Sequence, residues 1–294
     1  YSYADMPELE LKKSFDSHIT EALFGFLLHY KEEFNLTREL IEHKTKEYRN
    51  NASEGFENIC KYVIEAKGKL FLVIDEYDSL TNALAIRYRY TTEDDNMYLK
   101  ILGKGGFFRN FFEMLKTQTE NVIHQIYITG ILPITISDMK SGFNIASWIQ
   151  FNPQFSNMLG ITKLEFNHFV DEVYEDYPEI RFEKDEVKTI IKNYYNGYKF
   201  TRNGEEVYNP MMTLYFLNNI TQNNEYPDIL ADYNLRISYD QIAFLFGKNL
   251  GKANEIITQI TDNKTYKINS NLQISFDMKD FKEGKYIAEG LFYA

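Results

Sequence analysis

Residues 70–74, Leu-Phe-Leu-Val-Ile, are five apolar side chains in unbroken succession, closed by two adjacent acids, Asp75 and Glu76. A run without alternation reads as a strand buried on both faces, the kind found in parallel sheets covered by helices. Ligands of open α/β sheets sit at the carboxyl ends of the strands. Paired carboxylates there suit Mg²⁺-nucleotide chemistry, one holding the hydrated metal and the next orienting or deprotonating water. An apolar strand followed by Asp-Glu has the form of a Walker B motif. A buried strand running into an acidic turn or helix cap also accounts for one acid, but less readily for a second directly beside it.

The flanking segments supply the helices such a strand needs. Tyr1–Ala4 reads as the end of a strand. Leu11, Phe15, Ile19, Leu23, Phe26 and Tyr30 recur at helical steps. A polar helix is expected over Thr37–Tyr48. A third is expected to be capped by Ser53, with Phe56, Ile59, Cys60 and Val63 on one face and Gly68 closing it. Residues 79–105, including Arg87–Tyr90 and the acidic run to Asp95, read as a solvated loop. Phe107–Leu115 is an aromatic amphipathic helix. Val122–Ile128 is a second buried strand ending at Thr129-Gly130, and Ile145–Phe151 a further short strand. Strands alternating with helices give a parallel α/β sheet.

From about residue 158 the rhythm changes to short helices. Thr162-Lys163-Leu164-Glu165 is a capping box opening a helix with Leu164, Phe169, Val173 and Tyr177 inward. Glu186–Tyr195 is another helix, ended by Asn196-Gly197. Tyr198–Phe200 and Val207-Tyr208 bracket Asn203-Gly204, a hairpin signal. Asn209-Pro210 then reads as N-cap and first residue of a helix burying Leu214, Leu217 and Ile220. Helix, hairpin and helix together resemble a winged-helix-like lobe. Helices near 239–246 and 252–260, a polar strand pair near 265–277 and a last helix toward Leu291 complete the expectation. The α/β core is assigned to residues 1–157 and the helical lobe to 158–294.

Bulk properties narrow the function classes. A net charge of −11 and no Lys/Arg-rich run make direct nucleic-acid binding by this chain unlikely, because neutralising phosphates needs clustered cations. The single cysteine, Cys60, forms no internal disulfide, and the five scattered histidines have no metal-binding spacing. No apolar run approaches the length of a membrane span, and the expected location is the cytoplasm.

Several pieces, taken in order, resemble the AAA-ATPase-like family of bacterial proteins along about residues 1–217. They are Leu-Val-Ile-Asp-Glu-Tyr-Asp at 72–78, Ile-Thr-Gly-Ile-Leu-Pro-Ile at 128–134 and Ser141-Gly142-Phe143-Asn144. Leu-Gly-Ile-Thr-Lys-Leu-Glu at 159–165, Tyr-Asn-Gly-Tyr-Lys-Phe at 195–200 and Val-Tyr-Asn-Pro at 207–210 follow. The resemblance implies a P-loop NTPase/AAA-like parallel sheet flanked by helices and followed by the winged-helix-like lobe. It also implies a larger bacterial protein, with a PD-(D/E)XK nuclease-like domain often attached or with a role as an effector of intracellular bacteria, delivered into a host cell. Carried over by position, Asp75 is the Mg²⁺-associated acid, Glu76 the catalytic base or water-orienting residue, and Thr129 the sensor of the γ-phosphate of ATP. A threonine finishing a strand before a glycine turn explains Thr129 equally well.

The chain departs from the family in one respect. No G-x-x-x-x-G-K-[ST] occurs in the 294 residues. Gly103-Lys104-Gly105-Gly106 follows the acidic strand instead of preceding it. Gly247–Ala253 is one residue short between its glycines and has Ala253 where a metal-contacting hydroxyl is needed. Two readings follow: a phosphate loop upstream of Tyr1 and a working Mg·ATPase or ATP-gated switch, or a degenerate AAA-like domain of an effector or toxin that binds a protein partner. Nuclease activity in this chain is disfavoured, since the nearest Glu-x-Lys mimic, Phe182-Glu183-Lys184, looks like a helix entrance.

Overall fold

The computed structural model describes residues 6–88, 96–131, 133–201, 203–230, 250–263, 277–282 and 285. They fall in two compact units, Tyr1–Ala146 with Ser238–Ala294, and Ser147–Ile237.

The first unit opens with α1 (Glu8–His29), started by Pro7 and with Glu8 and Glu10 in its first turn, where carboxylates complement the helix dipole. Leu11, Leu23 and Leu27 are buried, while Phe15, Ile19 and Phe26 pack at the margin of the core. Two polar side chains on the same face are buried and satisfied. Asp16 accepts from the Ala52 amide at 3.2 Å and from Lys12, and Thr20 donates to the Tyr48 carbonyl at 3.2 Å. They stitch α1 to the junction between α2 (Arg38–Tyr48) and α3 (Ala52–Glu65). The cap of α3 is Asn51, not Ser53: its side-chain oxygen accepts from the Glu54 amide, and Ser53 already lies inside the first turn. At the other end Lys67, with φ +56°, takes the left-handed position expected of Gly68, whose amide closes the helix onto the Val63 carbonyl at 2.8 Å.

β1 (Leu70–Ile74) pairs in parallel with β2 (Ile123–Ile128), placing Phe71 opposite Gln125 and Ile74 opposite Ile128. Parallel neighbours need a long crossover, and α4 (Ser79–Tyr88), α5 (Met97–Leu102) and α6 (Phe107–Gln118) provide it. Residues 79–88 and 97–102 are thus helical rather than a solvated loop; Leu84, Ala85, Tyr98, Ile101 and Leu102 are buried. Residues 89–95 lie outside the described residues. In α6, Phe108, Phe111, Phe112 and Leu115 are buried, and the Phe15 ring sits 5.4–5.7 Å from those of Phe107, Phe108 and Phe111.

The inward side chains of β1, Leu70, Leu72 and Ile74, pack on this core with Ile126 and Ile128. The outward ones do not match the expectation of a strand buried on both faces: Phe71 and Val73 are each 68% exposed. The described helices cover one face of the pair. After β2 come α7 (Ile134–Met139) and a 3₁₀ turn at Lys140–Phe143. Residues 145–151 form no strand. The helix Met278–Lys282 belongs to this unit, with Met278 buried in its core.

The second unit holds α8 (Lys163–Asp176), α9 (Lys184–Tyr195) and α10 (Pro210–Gln222) around Phe166, Val170, Val187, Ile191, Phe216 and Ile220. The Thr162/Glu165 capping box forms, α9 starts after Glu183 without a side-chain cap, and Asn209-Pro210 opens α10. On α8, Phe169 and Val173 pack against the core as expected and Phe166 and Val170 are buried in it, while Leu164 is 80% exposed and Tyr177 terminates the helix. In α10, Phe216 is buried and Leu214 is exposed. The expected hairpin is reduced to isolated antiparallel bridges, Tyr198 with Val207 and Ile161 with Tyr208.

A further helix spans Leu250–Asn263. The expected features at 1–4 and 239–246 lie outside the described residues, as do those near 265–277 and toward Leu291 apart from 277–282 and 285. No helix among the described residues is long and apolar enough to cross a membrane.

Candidate functional site

The parallel register brings the carboxyl ends of β1 and β2 side by side. The Thr129 amide donates to the Ile74 carbonyl at 2.9 Å, and the Tyr77 amide donates to the Thr129 carbonyl at 3.1 Å. Thr129 therefore stands beside Asp75, and its Oγ1 hydroxyl donates to Asp75 Oδ1. The same oxygen accepts from the Glu76 amide at 3.0 Å. All three residues marked by the sequence are brought together at the carboxyl ends of the two strands.

Glu76 has φ +48°, a left-handed conformation uncommon for a residue with a Cβ and one that concentrates at functional sites. The bend divides the four-residue acidic end in two. Asp75 and Glu76 face solvent; Tyr77 and Asp78 turn inward and are buried. Among the described residues neither Asp75 Oδ2 nor the Glu76 carboxylate has a hydrogen-bond donor, so both are available to a ligand. No group of three or more His, Cys, Asp or Glu among the described residues forms a self-sufficient metal cage.

Beneath the exposed acids lies a polar layer. Asp78, 1% exposed, accepts from the Ile131 amide at 3.0 and 3.2 Å and from Asn82 Nδ2 at 2.8 Å. Its carbonyl accepts from Thr81 Oγ1 at 2.9 Å, and the Thr81 and Thr135 hydroxyls pair at 2.6 Å. Gly130 passes so close that a Cβ there would stand 2.4 Å from the Tyr77 ring and 2.6 Å from Asp78 Oδ1. Burial drives the Tyr77 phenol far above its ordinary range.

Further in, the Tyr98 hydroxyl donates to Asp138 Oδ2 at 2.5 Å, and the Met278 amide reaches both Asp138 oxygens at 3.3 Å. Burial pushes the Asp138 carboxyl up to about 6, against the opposing pull of those two donors.

Residues 2–140 match the family model AAA-ATPase-like, described as "Predicted AAA-ATPase". No curated protein and no solved structure matches the chain. The matched span contains β1, β2, Asp75, Glu76, Asp78 and Thr129. Over residues 2–140 the chain is thus similar to the AAA-ATPase-like family.

Proposed function

We propose that the edge formed by Asp75, Glu76 and Thr129 is the Mg·ATP-facing edge of an AAA-ATPase-like domain in a larger protein, hydrolysing ATP or switching on its binding. The observation that carries this reading is the Thr129–Asp75 hydrogen bond across the ends of two parallel strands, where α/β sheets take ligands. The residues fit the group. Mg²⁺ keeps several waters and takes one or two carboxylates plus phosphate oxygens, and Asp75 offers one exposed oxygen while Thr129 holds the other. The metal supplies charge neutralisation to the β- and γ-phosphates. Asp75 would hold it, Glu76 would position or deprotonate the attacking water, and Thr129 would stand at the γ-phosphate as its sensor. No phosphate loop lies in these 294 residues, so the reading requires one from outside them. The α/β unit is then a P-loop-type core and the helical unit a winged-helix-like lobe.

One observation favours a second reading, a degenerate AAA-like domain that binds a protein partner. The outward face of β1 presents Phe71 and Val73 to solvent directly beside Asp75.

The deciding experiment is Mg·ATP binding and turnover by the full-length protein and by this chain, with Glu76→Gln as control. Turnover abolished by Glu76→Gln with nucleotide still bound supports the ATPase. No binding by either protein at millimolar nucleotide overturns it and leaves the interaction domain.

A further inference from the structure

Asp78 is a carboxylate stripped of water, and such a group is tolerated only when donors replace its hydration. Among the described residues, two of those donors come from different segments. Asn82 belongs to α4, which follows β1; Ile131 belongs to the turn that follows β2. Asp78 therefore ties together the two turns that carry Asp75 and Thr129.

The tie is close to the proposed chemistry. Ile131 is two residues beyond Thr129, and Gly130 between them has no room for a side chain against Tyr77 and Asp78. Thr129 is bracketed by its ladder bond to Ile74 on one side and by the Asp78–Ile131 bond on the other. From the backbone so held its hydroxyl reaches Asp75.

We infer that Asp78 is a positioning residue for the nucleotide-facing edge: it holds the β2–α7 turn so that Thr129 orients the metal-facing carboxylate of Asp75. This rests on the ATPase reading above. Asp78 touches no ligand and acts through Thr129 and Asp75.

The test uses Asp78→Asn in the full-length protein, which keeps the volume but sets an amide donor against the Ile131 and Asn82 donors. Val170→Ala, a core truncation in the other unit, is the stability control, and Asn82→Ala replaces Asp78→Asn if that variant fails to fold. Two readouts are taken. Hydrogen exchange at the Thr129–Ile131 amides is expected to accelerate by about tenfold or more. The Mg²⁺ concentration for half-maximal ATP turnover is expected to rise by about 10–100-fold, the range seen when support of a metal ligand is removed. Val170→Ala should change neither.

Faster exchange with an unchanged Mg²⁺ dependence would make Asp78 purely structural and overturn the inference. So would unchanged exchange. If the unmodified protein neither binds nor turns over Mg·ATP, the ATPase reading fails and the positioning role falls with it. If the unmodified protein works and Asp78→Asn leaves its Mg²⁺ dependence intact, the inference alone fails.

Discussion

Replacing Asp138 by Asn should make the first unit more stable at pH 8 and less stable at pH 4. The folded-state carboxyl titrates at about 6 against an ordinary value of 3.8. That difference of about two pH units corresponds to about 3 kcal/mol. Below pH 4 both folded and unfolded chains hold the proton, and the group contributes nothing. Between 4 and 6 the folded protein keeps a proton that the unfolded chain has released, so stability falls as pH rises through this window. Above 6 the full cost of burying the charge is present. Asparagine never ionises and escapes that cost. It can still accept from Tyr98, but it meets the Met278 amide with one acceptor oxygen in place of two, a loss of about 1 kcal/mol. The net expectation for Asp138→Asn is a gain of about 1–2 kcal/mol at pH 8, a loss of about 1 kcal/mol at pH 4, and a crossing in between. Trp148, the single tryptophan, lies in the other unit. Urea unfolding should therefore be followed by circular dichroism and by hydrogen exchange of α5 and α6. Taking the difference between the two proteins at each pH cancels every other titrating group. A difference that is flat with pH, or a variant weaker at pH 8 than at pH 4, would refute the burial argument.

Gly130→Ala should destabilise the first unit by about 1–3 kcal/mol in urea, because the added carbon collides with the Tyr77 ring and Asp78; a loss below about 0.5 kcal/mol would show that the turn relaxes freely. Cys60 is buried and its thiol is pushed up to about 12, so Ellman's reagent at pH 8 should label it only on unfolding, and rapid labelling of native protein would contradict its place in the core. Thr162→Ala removes the hydroxyl that accepts from the Glu165 amide at 3.3 Å and should cost about 1 kcal/mol, read from Trp148 fluorescence in urea. A neutral result would mean that the Glu165 side chain, bonded to the Thr162 amide at 2.9 Å, caps α8 alone.

The acidic strand end was legible because its signals are local. Leu70–Ile74 is an unbroken run, Asp75 and Glu76 follow at once, and Thr129 follows the β-rich segment Val122–Ile128. The same run misled about Phe71 and Val73, since apolar succession records what a strand can bury and not whether a layer lies over it. α5 was obscured because its short Tyr98, Ile101 and Leu102 pattern follows the acidic run to Asp95 and carries no long helical period. The polar layer was invisible for another reason. Asp78 meets Ile131 across 53 residues and Asp138 meets Met278 across 140, so nothing near either acid in the chain announces that it is buried. An isolated aspartate in a sequence reads as surface, and only tertiary contacts make it interior.

The contact between Asp138 and Met278 also sets an order of events during synthesis. The first unit is written in two instalments, residues 1–146 and 238–294, with the second unit complete between them. At ribosomal rates of about 5–20 residues per second, roughly 7 to 28 seconds separate the emergence of Asp138 from that of Met278. During that interval the Asp138–Tyr98 pair lacks its backbone donor, and the core lacks the Met278 side chain. The entropic charge for closing so long a loop grows only logarithmically, so the separation is a delay more than an energetic burden. The helical unit, continuous in sequence, can finish first, and the unit that carries Asp75 and Thr129 is the last part to be sealed.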